Sequence, residues 1–127
     1  MNKRNPLIFC LLFLALTLGN AQEKKNKTFT MIYTPGEGWN HQIPFNEQPY
    51  FTEHSQHLQK LRKNGKIIVG GRYSDKGFML LQARDSIAAD SIVKMDPTVE
   101  HQIFKVELFE FKPFYYGCVE KQSMQGN

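Results

Sequence analysis

Strand-like and helix-like periodicities alternate along the chain, and their order limits the possible folds more than any other feature of the sequence. The predicted elements are, in chain order, a strand at 28–34, a helix at 48–64, strands at 66–72 and 78–83, a helix between Asp85 and Asp96, and a strand at 103–111. The order β-α-β-β-α-β is the split βαβ, or ferredoxin-like, arrangement. We therefore expect an α+β protein with a four-stranded antiparallel sheet and both helices on one face.

The first predicted helix carries a histidine within its apolar stripe. Four side chains spaced three or four residues apart share one helix face: Phe51, His54, Leu58 and Leu61. A buried imidazole needs a hydrogen-bond partner, and an unperturbed imidazole titrates near neutral pH. His54 is therefore a candidate general acid or base. The alternative is a structural histidine whose ring is satisfied by backbone or water.

The second predicted helix begins at Asp85, whose side chain can cap it, and its apolar positions are Ile87, Ala88, Ile92 and Met95. It ends at Asp96-Pro97, because a residue before proline disfavours helical geometry. The helix dipole disfavours a carboxylate at a C-terminus, so we expect Asp96 to have a compensating partner such as an imidazolium. The alternative is that Asp-Pro simply starts a turn.

The final predicted strand has apolar side chains on both faces. Phe109 and Phe111 lie on the face opposite the core, as Ile32 does in the first strand. With both helices on one face, this second face is bare and partly apolar. We expect another copy of the chain to cover it, giving a homodimer through the sheet faces.

A long loop between the first strand and the first helix holds the only tryptophan. Loops of this length in a small domain are usually functional or mobile. Trp39 could close over a flat apolar ligand or anchor the loop on the body. Glu47 could cap the first helix, which is the favoured interpretation, or line a cleft. Arg72 could bind an anionic group of a substrate, or it could be a surface arginine at a strand end.

The first 21 residues have the order of a secretory signal peptide. Two basic residues precede an apolar run at 7–18, and residues 19–21 place small side chains at the cleavage positions. The run is short for a membrane span. We expect cleavage after Ala21 and a periplasmic or secreted protein with no membrane attachment. The predicted segments are a signal peptide at 1–21, one domain at 28–114 and a polar tail at 115–127.

Removal of this segment takes away two basic residues, so the formal net charge falls from +4 to +2. That charge makes no case for nucleic-acid binding. Cys10 leaves with the segment and Cys118 stays without an intrachain partner. His57 could join His54 on a metal ion, but no third ligand is clear, so we expect no metal site. No phosphate-binding or dinucleotide-binding motif is present, and we expect no cofactor.

An ordered set of residues over most of the predicted domain is similar to a known family. The set comprises Pro35-Gly36, Trp39, Glu47-Gln48, Glu53-His54, Gly65, Gly70-Gly71, Asp75, Gly77 and Asp96-Pro97. From about residue 29 to 114 the chain resembles the YCII-related proteins, a branch of the dimeric α+β barrel superfamily. The resemblance implies a ferredoxin-like protomer paired sheet to sheet into a barrel. It also implies a His–Asp pair in a cleft, which matches His54 and Asp96.

The resemblance further implies chemistry on ring compounds, since a few relatives eliminate chloride from chlorinated aromatics and related barrels isomerise lactones. Arg72 stands where many members carry proline, which implies a more cationic cleft. We therefore expect an enzyme that moves protons with His54 and Asp96 on a small cyclic or aromatic substrate, by elimination, isomerisation or hydrolysis. The alternative is a non-catalytic dimer that binds a small molecule or has only a structural role.

Overall fold

The computed structural model describes residues 25–115 and Gly117. Its elements are β1 (Lys27–Pro35), α1 (Phe51–Lys63), β2 (Ile67–Tyr73), β3 (Lys76–Ala83), α2 (Ser86–Lys94), α3 (Pro97–Glu100) and β4 (Phe104–Glu110). A short 3-10 helix, Phe45–Glu47, lies in the loop between β1 and α1. The predicted signal peptide, Cys118 and most of the predicted tail lie outside the described residues.

The four strands form one antiparallel sheet in the order β2-β3-β1-β4. Together with α1 and α2 in the two crossovers, this order is the ferredoxin-like βαββαβ arrangement. The predicted fold class, α+β with a four-stranded antiparallel sheet, is confirmed. Among the described residues, no helix is long and apolar enough to cross a membrane.

The core lies between the helices and one face of the sheet. β1 alternates as predicted, because Phe29, Met31 and Tyr33 are buried while the residues between them are only partly buried. The other buried members of this core cluster are Leu81, Ala83, Ala89, Val93 and Phe104. Tyr33 thus enters the core from the central part of the sheet, with its hydroxyl available to the helices above.

The opposite face of the sheet carries a group of apolar side chains. In the register of the sheet, Leu80 and Phe109 lie on either side of Thr30, and Phe78 lies beside Ile32. Phe109 is 60% exposed. This is the face that the sequence predicts to be apolar.

The residues that α2 turns toward the core differ from the prediction. Ala89 and Val93 are buried, whereas Ile87 and Met95 are 79% and 65% exposed. At 100° per residue, Ile87 lies about 200° around the helix from Ala89, so one of the two must face away from the core. The smaller side chain, that of Ala89, packs against the sheet. The prediction that Ile87 and Met95 belong to the apolar face that packs on the core was therefore wrong.

The role of Asp96 in local structure also differs from the prediction. α2 ends at Lys94 with Met95 as its C-cap, and Asp96 is the N-cap of α3, which has Pro97 in its first turn. Proline suits the first helical position, so Asp-Pro begins a helix here as well as ending one. A carboxylate is favourable at an N-cap. The expectation that a helix dipole disfavours Asp96 was therefore wrong.

Candidate active site

α1 and the start of α3 place His54 and Asp96 in direct contact on the covered side of the sheet. His54 Nδ1 lies 2.7 Å from Asp96 Oδ2. His54 is 6% exposed and Asp96 is fully buried. The buried pair implied by the family resemblance is therefore present, 42 residues apart in sequence.

The carboxylate of Asp96 accepts four hydrogen bonds from three residues. Its Oδ2 accepts from His54 and from the Tyr33 hydroxyl, which lies 3.2 Å away. Its Oδ1 accepts from the Thr98 backbone N–H at 3.0 Å and from the Thr98 hydroxyl at 2.7 Å. Three of these bonds come from a backbone N–H and two hydroxyls, which donate to the carboxylate and favour its ionised, acceptor-only form.

Burial and hydrogen bonding have opposite effects on Asp96. Burial raises the pKa of its carboxyl, but the hydrogen bond and charge of His54 and the two bonds from Thr98 outweigh burial and hold that pKa below its ordinary value. Burial, together with the charge and hydrogen bond of Asp96, raises the pKa of the Tyr33 hydroxyl well above its ordinary value. At neutral pH Asp96 is therefore charged and Tyr33 keeps its proton.

The same network determines which nitrogen of a neutral His54 ring carries the proton. Thr98 Oγ1 lies 3.3 Å from Nδ1, but its own proton is in the bond to Asp96, so it cannot donate to the ring. A charged carboxylate can only accept, so Nδ1 must donate to it. Nε2 then has a free electron pair, and no described residue forms a hydrogen bond with it. His54 is in this respect arranged as a base.

A cavity of about 270 Å³ opens beside His54. It is lined by Tyr33, Phe45, His54, Leu58, Gly70, Gly71, Arg72, Asp75, Gly77, Met79 and Phe104. Apolar and aromatic side chains form most of this wall. An apolar protein cavity of about 150 Å³ holds benzene. The space beside His54 therefore accommodates a six-membered ring with small substituents.

Two charged side chains, Arg72 and Asp75, line the cavity and are exposed. The Arg72 guanidinium carbon lies 3.9 Å from the centroid of the Phe45 ring, in cation–π geometry. The structure thus places Arg72 at the cavity, and its binding role stays a prediction. Asp75 was not singled out from the sequence, where it belongs to a turn. Asp75 lies in the turn between β2 and β3, which both line the cavity. This position in the hairpin is the sequence feature that could have indicated its place at the cavity.

Neither Trp39 nor Glu47 lines this cavity. The Trp39 ring packs behind the wall, with its centroid 5.3 Å from that of Phe104 and 6.3 Å from that of Phe45. This contact is the anchoring role that the sequence left open for Trp39. Glu47 is exposed, and α1 has Tyr50 at its N-cap with no side-chain cap. The favoured interpretation of Glu47 as a helix cap was therefore wrong.

Gln48 closes the loop that carries these aromatic residues, and the sequence reasoning missed it. Its side chain is buried, accepts from the Asn40 N–H at 3.0 Å, and donates to the carbonyls of Asn40 at 2.7 Å and Ile43 at 3.2 Å. These bonds fix the loop just before α1 begins. A single polar residue in a polar loop has no periodicity that could reveal such a role.

His57 lies one turn along α1 from His54 and does not line the cavity. Its Nε2 is buried and has no partner among the described residues. Within residues 25–115 and 117, no group of three or more histidine, cysteine or acidic side chains could hold a metal ion.

Comparison with known proteins gives a structural likeness. No protein-family model matches the chain. No curated protein matches it. A similar solved structure is 5-chloro-2-hydroxyhydroquinone dehydrochlorinase from Burkholderia phenoliruptrix AC1100, in complex with 2,5-dihydroxybenzoquinone. That structure is 22% identical, with a TM-score of 0.45, over 66% of this chain and 93% of its own. The fold assignment rests on the strand order and helix placement of this chain itself.

Proposed function

We propose that the protein is an enzyme that moves protons on a small cyclic or aromatic molecule bound in the cavity beside His54. The observation that carries the proposal is the 2.7 Å contact between Asp96 Oδ2 and Nδ1 of His54, whose side chain lines the cavity. This contact occupies one ring nitrogen and leaves Nε2 for a ligand. The proposal includes membership of the YCII-related family, on the residues that carry the resemblance.

The chemistry begins with one proton transfer. His54 Nε2 accepts a proton from a C–H or O–H bond of the substrate, or from the attacking water in a hydrolysis. The ring becomes an imidazolium, which the charge of Asp96 stabilises while holding its orientation. In an isomerisation Nε2 returns the proton to another substrate atom. In an elimination the electron pair of the broken bond expels a leaving group as an anion.

The wall of the cavity supports a ring-shaped substrate with an anionic or hydroxyl group. Phe45, Phe104 and Met79 supply apolar contacts, and a guanidinium favours carboxylate or phenolate oxygen. Arg72 is held against the Phe45 ring, so its charge stays at the cavity. Trp39 contributes indirectly, by supporting Phe45 and Phe104.

We also propose export and self-association. The order of the first 21 residues supports cleavage after Ala21 and a periplasmic or secreted location. The apolar residues of the open sheet face, with Phe109 60% exposed, support a homodimer through that face. These two features are independent of the proton-transfer chemistry.

The proposed chemistry is tested by binding and activity screens on chlorinated aromatics and lactones, followed by variants measured on the first substrate found. His54→Asn should lower turnover about 10²–10⁴-fold, because the amide keeps much of the hydrogen bonding but cannot accept the proton. Asp96→Asn should lower turnover less, since the base remains. His41→Asn, in an exposed loop position, is the matched control and should leave turnover unchanged.

Turnover within about twofold of the wild type in a folded His54→Asn protein would contradict the proposal. Thermal melting of the variant checks that the fold is intact. In that outcome His54 is a packing residue, and the non-catalytic small-molecule-binding dimer becomes the better account.

A further inference from the structure

We infer that the ligand site extends beyond the His54 cavity into a groove between α1 and β2, and that it takes an elongated ligand. The ligand class is a ring that carries an apolar chain ending in a carboxylate or a similar anion, with the anion at Arg62. The inference rests on the proposed use of the cavity as a ligand site. It adds the substrate class and a second binding residue.

The groove has a volume of about 560 Å³ and two different walls. One wall is a stripe of α1, formed by Ser55, Leu58, Gln59 and Arg62, whose spacing places them on the same helix face. The other wall consists mainly of the apolar start of β2, residues 67–70. The apolar β2 wall can contact the methylene groups of a ligand, and the polar side chains of the groove lie on the α1 wall.

The groove and the cavity share part of their lining. Leu58, Gly70 and Met79 line both spaces. A side chain at Gly70 would narrow this junction, because an added Cβ would lie only 2.9 Å from Met79 Cγ. Glycine at this position therefore leaves the most room where the two spaces meet. A chain attached to a ring in the cavity can therefore pass over Gly70 into the groove.

Arg62 defines the far end of the site. It lies eight residues after His54 on the same helix, which corresponds to about 12 Å along the helix axis. No described residue forms an ion pair with Arg62, and no described acidic residue lines the groove. A guanidinium binds a carboxylate with two parallel hydrogen bonds. The charge at this end therefore selects an anion.

The inference is tested by calorimetric titration of the purified protein with phenylacetate, phenylbutyrate, phenylhexanoate and phenyloctanoate. Affinity should rise along the series, by up to about fourfold for each methylene that becomes buried. Arg62→Gln should weaken phenyloctanoate binding by about two- to fivefold and leave phenylacetate unchanged. Lys63→Gln removes the same charge from the next residue, which does not line the groove, and should change neither ligand.

A second variant tests the junction. Gly70→Val places a branched side chain against Met79 and should weaken the long members of the series more than phenylacetate. No binding of any member, equal affinity along the series, or equal effects of Arg62→Gln and Lys63→Gln would overturn the inference. Occupation of the groove by a second copy of the chain would also overturn the inference. Affinity would then not depend on the length of the ligand, and sedimentation would show the association.

The outcome is separable from that of the proposed chemistry. The titrations measure binding alone, so length dependence should persist in His54→Asn. If the series behaves as expected while His54→Asn keeps full turnover, the proton-transfer role fails and the elongated site remains. If the chemistry holds and affinity does not change with length, only the elongated site fails.

Discussion

The two faces of the sheet come from the same four strands but carry different kinds of residue. On the covered face, Tyr33 of β1 is buried and donates to Asp96. On the opposite face, the neighbouring Ile32 lies beside Phe78, and Phe109 remains 60% exposed. A shift of one residue along a strand therefore separates the groups that support the candidate active site from those that form the proposed dimer surface.

The faces also differ in how their polar groups are satisfied. Buried polar groups destabilise a fold unless they find partners. On the covered side, the Asp96 carboxylate accepts from the Tyr33 hydroxyl and from the backbone N–H and hydroxyl of Thr98, at 2.7–3.2 Å. On the open face, the Thr30 hydroxyl has only a 3.4 Å bond to a backbone carbonyl. Substitutions on the two faces should consequently have different effects.

The largest expected effect is on the covered face. Asp96→Ala would leave three buried donor residues without their acceptor, and it should lower the free energy of unfolding by about 3–5 kcal/mol. Asp90→Ala removes a carboxylate that pairs with Lys94 on the exposed side of α2, and should lower it by ~0.2–1 kcal/mol. Urea denaturation followed by circular dichroism measures both. Equal losses would show that the Asp96 network does not stabilise the fold in this way.

The open face predicts an effect on association. Phe109→Asp would bury an unpaired charge in the proposed dimer interface, so it should give monomers or aggregates. Ile87→Asp is the matched control, because Ile87 is also exposed but lies on α2, and it should leave the dimer intact. Analytical ultracentrifugation distinguishes the two. A wild-type protein that is monomeric at micromolar concentration would contradict the proposed dimer.

Much of this contrast was predictable from the sequence. The alternation in β1 predicts which face Tyr33 joins, because side-chain direction in a strand depends only on local geometry. The partner of its hydroxyl was not predictable, since a contact between residues 33 and 96 depends on the tertiary fold. The helix-dipole argument expected an imidazolium beside Asp96 without identifying it, and the family resemblance named His54 as that partner.

The short helix that begins after Asp96 was not predictable from the sequence for a different reason. A helix of four residues, such as α3, is too short to show helical periodicity, so Asp-Pro indicated only an end. The role of Thr98 was hidden with it. Ile87 was misplaced because hydrophobicity alone does not determine how closely a helix approaches a sheet, and α2 buries Ala89 instead.

The smallest effect concerns the pH dependence of stability. Because the pKa of Tyr33 is raised in the folded protein, Tyr33 contributes fully to the free energy of unfolding below about pH 10. That contribution is lost as the pH rises above the pKa of Tyr33 in the unfolded chain. Because the pKa of Asp96 is lowered in the folded protein, Asp96 contributes fully to the free energy of unfolding above about pH 4. That contribution is lost as the pH falls toward the pKa of Asp96 in the folded protein. Stability should therefore fall in strong acid and in strong alkali.

Tyr33→Phe sharpens this prediction, because it should remove the alkaline loss that arises from Tyr33. Tyr73→Phe changes an exposed tyrosine and serves as the control. Thermal melting across the pH range measures the difference. An alkaline loss that is the same in both variants would show that the Tyr33 hydroxyl is not its source.

The central claim is that a neutral His54 keeps its proton on Nδ1, against Asp96, and presents a basic Nε2 to the cavity. Long-range proton–nitrogen correlation spectra of isotope-labelled protein measure this directly, with His54→Asn used to assign the ring. The account predicts a protonated Nδ1 and an unprotonated Nε2 in the neutral ring. The reverse tautomer, with the proton on Nε2, would contradict it.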